Sequence, residues 1–161
     1  MRILLAAIAG LVVCCAASAY AASSADSFDQ QMQKCEVCKV MAAKPDLMKN
    51  MTWKTHKIDN GMLSVATVPK DKKGEFDAVH DQMMQNVEKV KAKQQQGQPV
   101  QLCEYCTAMS ELMKAGANKQ DIETETGDIC LVTSNDAAVI QKIHALADKA
   151  IAEQLEMAQS R

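Results

Sequence analysis

Apolar positions along the chain change their spacing several times, and each change predicts an element. An unbroken apolar run from Ile3 to Val13 follows Met1 and Arg2 and leads into small residues ending in Ala19, Tyr20 and Ala21. A short basic start, a short apolar middle and an Ala-x-Ala site predict a cleavable secretory signal over residues 1–21. The run is well short of the ~20 residues that a spanning helix needs, and no later stretch is apolar enough, so no membrane association is expected after cleavage. Phe28, Met32, Cys35 and Cys38 then recur every three or four positions, the spacing of a helix, and Cys103, Cys106 and Met113 share one helical face in the second half. Pro45 and Gly116 are expected to break these two helices. Each is followed by a stretch that reads as a hairpin: Trp53–Ile58 and Met62–Val68 around Asn60-Gly61, then Ile122–Glu125 and Asp128–Thr133 around Thr126-Gly127. Two long amphipathic helices close the pattern. One carries Phe76, Val79, Met83, Val87 and Val90 on a single stripe, the other Ile140, Ile143, Ala147, Ile151 and Leu155, with Ser134, Asn135 and Asp136 as capping candidates.

The same order of elements thus occurs twice, and the residues themselves repeat. Cys35, Cys38 and Met41 match Cys103, Cys106 and Met109; Asp46-Leu47-Met48-Lys49 match Glu111-Leu112-Met113-Lys114. Gly61 and Thr67 match Gly127 and Thr133, and Val79, His80 and Val87 match Ile143, His144 and Ile151. The offset drifts by a few residues, always in loops, which is what duplication followed by small deletions leaves behind. A polar stretch at 94–99, Gln-Gln-Gln-Gly-Gln-Pro, separates a first repeat at 22–93 from a second at 100–161. The expected fold is α+β, an α-β-β-α unit used twice. The two repeats build one domain, with a four-stranded antiparallel sheet covered by helices and a pseudo-twofold axis between the halves.

Composition narrows the function. The formal charge is -2, and removal of Arg2 with the signal makes it one unit more negative, which is too weak and too mixed to favour nucleic acid as a partner. Aromatic residues make up 3% and methionine contributes 11 residues, so an aliphatic, thioether-rich core is expected. Val13 stands before Cys14 where a lipidation site needs a small residue, so Cys14 and Cys15 read as hydrophobic signal residues. After cleavage Cys35, Cys38, Cys103, Cys106 and Cys130 remain. In an oxidising compartment they invite a disulfide reading, while the odd count leaves a thiol over or points to a metal.

The candidate chemistry lies in the repeated Cys-x-x-Cys-x-x-Met, at Cys35, Cys38, Met41 and at Cys103, Cys106, Met109. Two thiolates and a thioether are soft donors, suited to Cu(I) or Zn(II). His80 and His144 occupy equivalent places and are candidate further ligands, since a neutral imidazole completes such a set; His56 has no counterpart. A single methionine or histidine at such a position more often serves packing or a local hydrogen bond, so the case for these residues rests on their repetition. Cys130 aligns with Ser64 and stands outside the repeated constellation.

The segments CEVC, MTWKTH, CEYC, LVTSND and IQKIHALA resemble those of exported bacterial proteins that carry no established function. That resemblance implies export and a shared layout, and it carries no catalytic residue across.

Several identities are excluded. Lys39 and Thr107 follow the two motifs, so neither is a haem-attachment site, and no phosphate-binding or dinucleotide glycine pattern occurs, so no haem and no nucleotide is expected. The expectation is a periplasmic or secreted protein binding Cu(I) or Zn(II), with the motifs either meeting as one four-cysteine site or standing apart as two. A structural or binding module with local disulfides, and a thiol–disulfide exchange protein, are the alternatives.

Overall fold

The computed structural model describes residues 27–159, so the signal expected at 1–21 lies outside the described residues. The chain is α+β, as the patterning predicts. Three short helices, α1 (Phe28–Lys34), α2 (Lys39–Ala42) and α3 (Pro45–Asn50), precede a hairpin of β1 (Thr52–Ile58) and β2 (Gly61–Thr67). After a turn of 3-10 helix at Lys70–Lys72 comes the long α4 (Lys73–Gln95). The second half runs α5 (Glu104–Lys114), β3 (Asn118–Thr124), β4 (Gly127–Thr133) and α6 (Ala137–Gln159). No described helix is long and apolar enough to cross a membrane.

The four strands form one antiparallel sheet in the order β1-β2-β4-β3, so the two hairpins meet along β2 and β4. The register there is symmetric about the pair Ser64–Cys130: Gly61 lies opposite Thr133 and Thr67 opposite Gly127. These are the residues that the sequence repeat equates. Asn60-Gly61 is not the two-residue turn expected; Asp59 and Asn60 make the turn, and Gly61 opens β2. The glycine is needed for close approach, since a Cβ on Gly61 would stand 1.9 Å from the Val132 carbonyl oxygen and one on Gly127 2.0 Å from that of Ala66. In the second half the strand begins at Asn118, earlier than the Ile122 expected, because its leading residues are polar and exposed and show no apolar alternation.

One face of the sheet carries the long helices. Helix α6 lies across β1 and β2, and α4 lies against β4. Each closing helix therefore packs on strands of the other half, and the apolar interior is shared between the halves. Met62, Val132, Val139, Ile143, Leu146 and Ala147 form one cluster beneath α6, with Leu112 from α5. A second group, Met41, Leu47, Met51, Val68, Phe76 and Val79, lies under α4. The buried stripe of α6 is Val139, Ile143, Leu146, Ala147 and Ala150, turned from the one expected. Ile140 and Ile151 flank it half-buried and Leu155 is 59% exposed. Small Ala147 and Ala150 let the helix approach the sheet closely, which brings bulky Leu146 inward. Asp136 caps α6, its carboxylate accepting from the N–H groups of Ala138 (2.8 Å) and Val139 (3.1 Å).

Helices α4 and α5 both end at glycines. Gly97 (φ 69°) and Gly116 (φ 88°) take the left-handed conformation. The N–H of Gln98 donates to Lys93 and that of Gly97 to Gln94, and in α5 the N–H of Ala117 donates to Leu112 and that of Gly116 to Met113. These paired bonds are Schellman motifs, and buried Leu112 and Ala117 supply the apolar contact that accompanies one. Helix α4 consequently runs through Gln95, two residues into the stretch that reads as a linker.

Candidate metal centre

The two cysteine motifs are built differently. The first is not helical, as its spacing predicts, but a turn between two helices. Cys35 closes α1 with an extended backbone (φ -73°, ψ 124°), and Cys38 precedes α2. The cause lies across the chain: the N–H of Glu36 leaves the helical ladder and donates to the carbonyl of Gln101 at 2.8 Å. Pro45 in turn opens α3 at its first position instead of ending a longer helix, where its missing N–H has no cost. The second motif starts a regular helix. Cys103 stands at the N-cap of α5 and Cys106 in its first turn, with the Thr107 hydroxyl donating to the Cys103 carbonyl at 3.0 Å.

Glu36 fastens the two motifs together. Besides the backbone bond, its carboxylate accepts from the N–H of Gln101 at 3.3 Å and pairs with the Lys93 ammonium at 2.6 Å. The Lys93 hydrogen bond, more than the Gln101 one, holds the Glu36 carboxyl below the usual carboxylate range. The Gln31 side chain accepts from the N–H of Glu104 at 3.3 Å. Tyr105, between the cysteines of the second motif, packs against both the sulfur cluster and the central core, and its ring meets Trp53 of β1 edge-on at 5.8 Å.

All four motif sulfurs converge. The Sγ atoms of Cys35, Cys38, Cys103 and Cys106 lie within 4.8 Å of one another, the first three buried and Cys106 half-buried. Cys38 contacts Cys106 at 3.3 Å and Cys103 at 3.9 Å, both across the halves. Met32, Val37 and Val90 wall the cluster in. Among the described residues every cysteine is a free thiol, so neither motif carries a local disulfide.

Packed this closely, the thiols share protons. Hydrogen bonds from Cys103, then Cys106 and Cys38, favour the Cys35 thiolate, and the Cys106 thiol foremost draws Cys103 down to about 7. Cys38 and Cys106 hold their protons more firmly than an ordinary thiol, chiefly through hydrogen bonds with Cys103. Two sulfurs are thus stabilised as anions by two that remain donors. A dication among them would replace those protons and satisfy all four. The N-terminal end of α5 adds a favourable partial positive charge beside Cys103.

The other candidate ligands lie elsewhere. Met41 packs with Leu47, Met51 and Phe76, and Met109 packs against the central core, each in a cluster other than the one that holds the four cysteines. Neither histidine belongs to the sulfur group. His144 makes a 2.9 Å hydrogen bond through Nε2 to the Ile58 carbonyl, and His80 lies 3.5 Å from the Asp128 carboxylate, stacked on Phe76. Cys130 sits at the centre of the sheet, its thiol pushed up to about 12 by burial. Sequence reasoning missed Glu36, Gln101 and Tyr105, although Glu36 and Tyr105 are themselves intervening residues of the two motifs.

A buried tetrathiol cluster that joins two halves of an α+β domain is a site able to bind one metal ion. Compared with protein-family models, with curated proteins and with solved structures, the chain yields no match in any of the three.

Proposed function

We propose that this is an exported zinc-binding protein in which Cys35, Cys38, Cys103 and Cys106 hold a single Zn(II). The observation that carries the reading is the convergence of four sulfurs from two distant motifs into one group. Tetrahedral zinc with Zn–S bonds of about 2.3 Å separates its sulfurs by about 3.8 Å, and the contacts of 3.3 and 3.9 Å bracket that spacing. A closed set of four thiolates suits Zn(II) better than Cu(I), because Cu(I) favours fewer ligands and the thioethers of Met41 and Met109 pack in other clusters. Four protein ligands fill a tetrahedral shell and leave no position for a substrate, so the ion is structural: it fastens the turn of the first half to the helix of the second. Export rests on the basic-apolar-small pattern of residues 1–21, and a duplicated origin on the repeated motifs together with the symmetric register of β2 and β4.

The deciding experiment is elemental analysis of the mature protein purified from the periplasm without added metal, followed by Co(II) titration of the reduced apoprotein. One zinc per chain and the charge-transfer and ligand-field bands of a tetrathiolate Co(II) centre are expected. Absence of both metal retention and Co(II) binding overturns the reading; one iron or two copper ions per chain would replace zinc.

A further inference from the structure

A tetrathiolate in an oxidising compartment is exposed to disulfides, and the geometry here selects which pair of cysteines reacts. We propose that the centre is redox-gated: oxidation joins Cys38 to Cys106, replacing the metal bridge between the halves with a covalent one. The metal-release part of this rests on the zinc reading; the choice of pair does not. Cys38 and Cys106 make the 3.3 Å contact, closer than the 3.9 Å of Cys38 and Cys103. Cys106 is the one member of the four that is not buried, so an incoming disulfide reaches it first. Cys35, fully buried, is shielded.

The chemistry is thiol–disulfide exchange with a low-molecular-weight disulfide of the oxidised-glutathione class. The Cys106 sulfur, a thiolate in the zinc-loaded centre and in the apoprotein once its proton passes to the Cys103 thiolate it bonds, attacks one sulfur of that disulfide, whose S–S bond breaks and whose other half leaves as a thiolate. The Cys38 sulfur, freed of its proton in the same way with Cys35 as acceptor, then attacks the Cys106 sulfur, forming the Cys38–Cys106 bond and expelling the second half as a thiolate. Two site thiolates are oxidised, and one external disulfide is reduced to two thiolates, which take their protons from water. Only Cys35 and Cys103 remain as donors, and two ligands do not retain the ion. The new bond spans 68 positions of sequence. It therefore keeps the first motif against the second, whereas a local Cys35–Cys38 or Cys103–Cys106 bond would leave the halves untied.

The test treats zinc-loaded mature protein with excess oxidised glutathione, following zinc with a chromophoric chelator and mapping disulfides by non-reducing mass spectrometry. Zinc release in step with one disulfide per chain is expected, with Cys38–Cys106 as the dominant linkage. Cys130→Ser is expected to leave both unchanged, and in oxidised apoprotein Cys106→Ser is expected to abolish that linkage. Dominant local pairs, or zinc released by the disulfide with no protein disulfide formed, overturn the proposal. Apoprotein oxidised in parallel separates the two readings. Cys38–Cys106 there without zinc binding in the reduced protein removes the gating and sinks the zinc reading with it; local pairs there refute the pairing while leaving zinc in place.

Discussion

The two cysteine motifs have the same spacing and meet at the same point, yet one is a turn held from outside and the other a helix that holds itself. Cys35 and Cys38 are flanked by helices of seven and four residues, too short to be stable on their own, and their turn is shaped by the Glu36–Gln101 bond. Cys103 and Cys106 ride on an eleven-residue helix that ends in a Schellman motif and buries Leu112 in the central core. A repeated motif therefore fixes which atoms are delivered, and the surrounding chain decides how rigidly. The metal should matter far more to the first half than to the second.

The largest expected effect follows directly. Cys35→Ser combined with Cys103→Ser should abolish zinc binding, a greater loss than the roughly 10–100-fold that follows removal of an outer partner of a metal site. In wild type, chelation of the metal should speed amide exchange over residues 31–42 much more than over 104–114. Equal acceleration in both, by hydrogen-exchange mass spectrometry, would show that the motifs are equally dependent on the ion.

Away from the metal the halves should behave alike. Leu47 of α3 and Leu112 of α5 are equivalent in the repeat and are 0% and 3% exposed. Each truncation to alanine should cost about 2–5 kcal/mol, measured by urea unfolding of the metal-loaded protein. A difference well beyond that range would mean that the first half's helices are carried by the ion and not by packing.

Much of this was legible in the sequence because apolar spacing reports the faces of elements directly. The hairpins and the long helices follow from it. Spacing does not report what an element packs against. Cys35 and Cys38 fit a helical period as small hydrophobes, but the period carries no trace of the Gln101 carbonyl that draws the Glu36 N–H away. Met41 and Met109 shared the motif's periodicity because a residue three positions after a cysteine lies on the same helical face; a large thioether on that face fills the core next to the site. Glu36 was invisible for another reason: its partners Lys93 and Gln101 stand more than fifty positions away.

Glu36 gives the next prediction, of intermediate size. Glu36→Ala should weaken zinc binding by about 10-fold, the low end for an outer partner, because it loosens the turn and removes no ligand. Its carboxyl is held below 4.5 mainly by Lys93, so its folded pKa lies under the unfolded one. The stabilisation it supplies is then present above about pH 4.5 and lost as pH falls through the folded value. The stability gap between wild type and Glu36→Gln should close on acidification below pH 4.5, and a gap that widens instead would contradict the assignment.

The smallest effects concern the histidines, equivalent in sequence and different in role. His144→Gln should leave zinc affinity unchanged and cost about 1 kcal/mol, the worth of its bond to the Ile58 carbonyl. His80 instead faces Asp128, whose carboxyl is raised above 3.8 by burial foremost, with the charge of a protonated His80 opposing that rise. A folded pKa above the unfolded one means that Asp128 favours the fold fully below pH 3.8 and loses that contribution as pH climbs through the folded value. Asp128→Asn, which cannot ionise, should accordingly gain stability relative to wild type between pH 3 and pH 7, read from urea midpoints at the two values. If wild type gains instead, the attraction of His80 outweighs the burial of the carboxylate. His80→Gln in the same series separates the two terms: with the imidazole gone, burial and the Asp121 charge are opposed only by Lys119 and Lys73, and the stability that asparagine gains over wild type should grow.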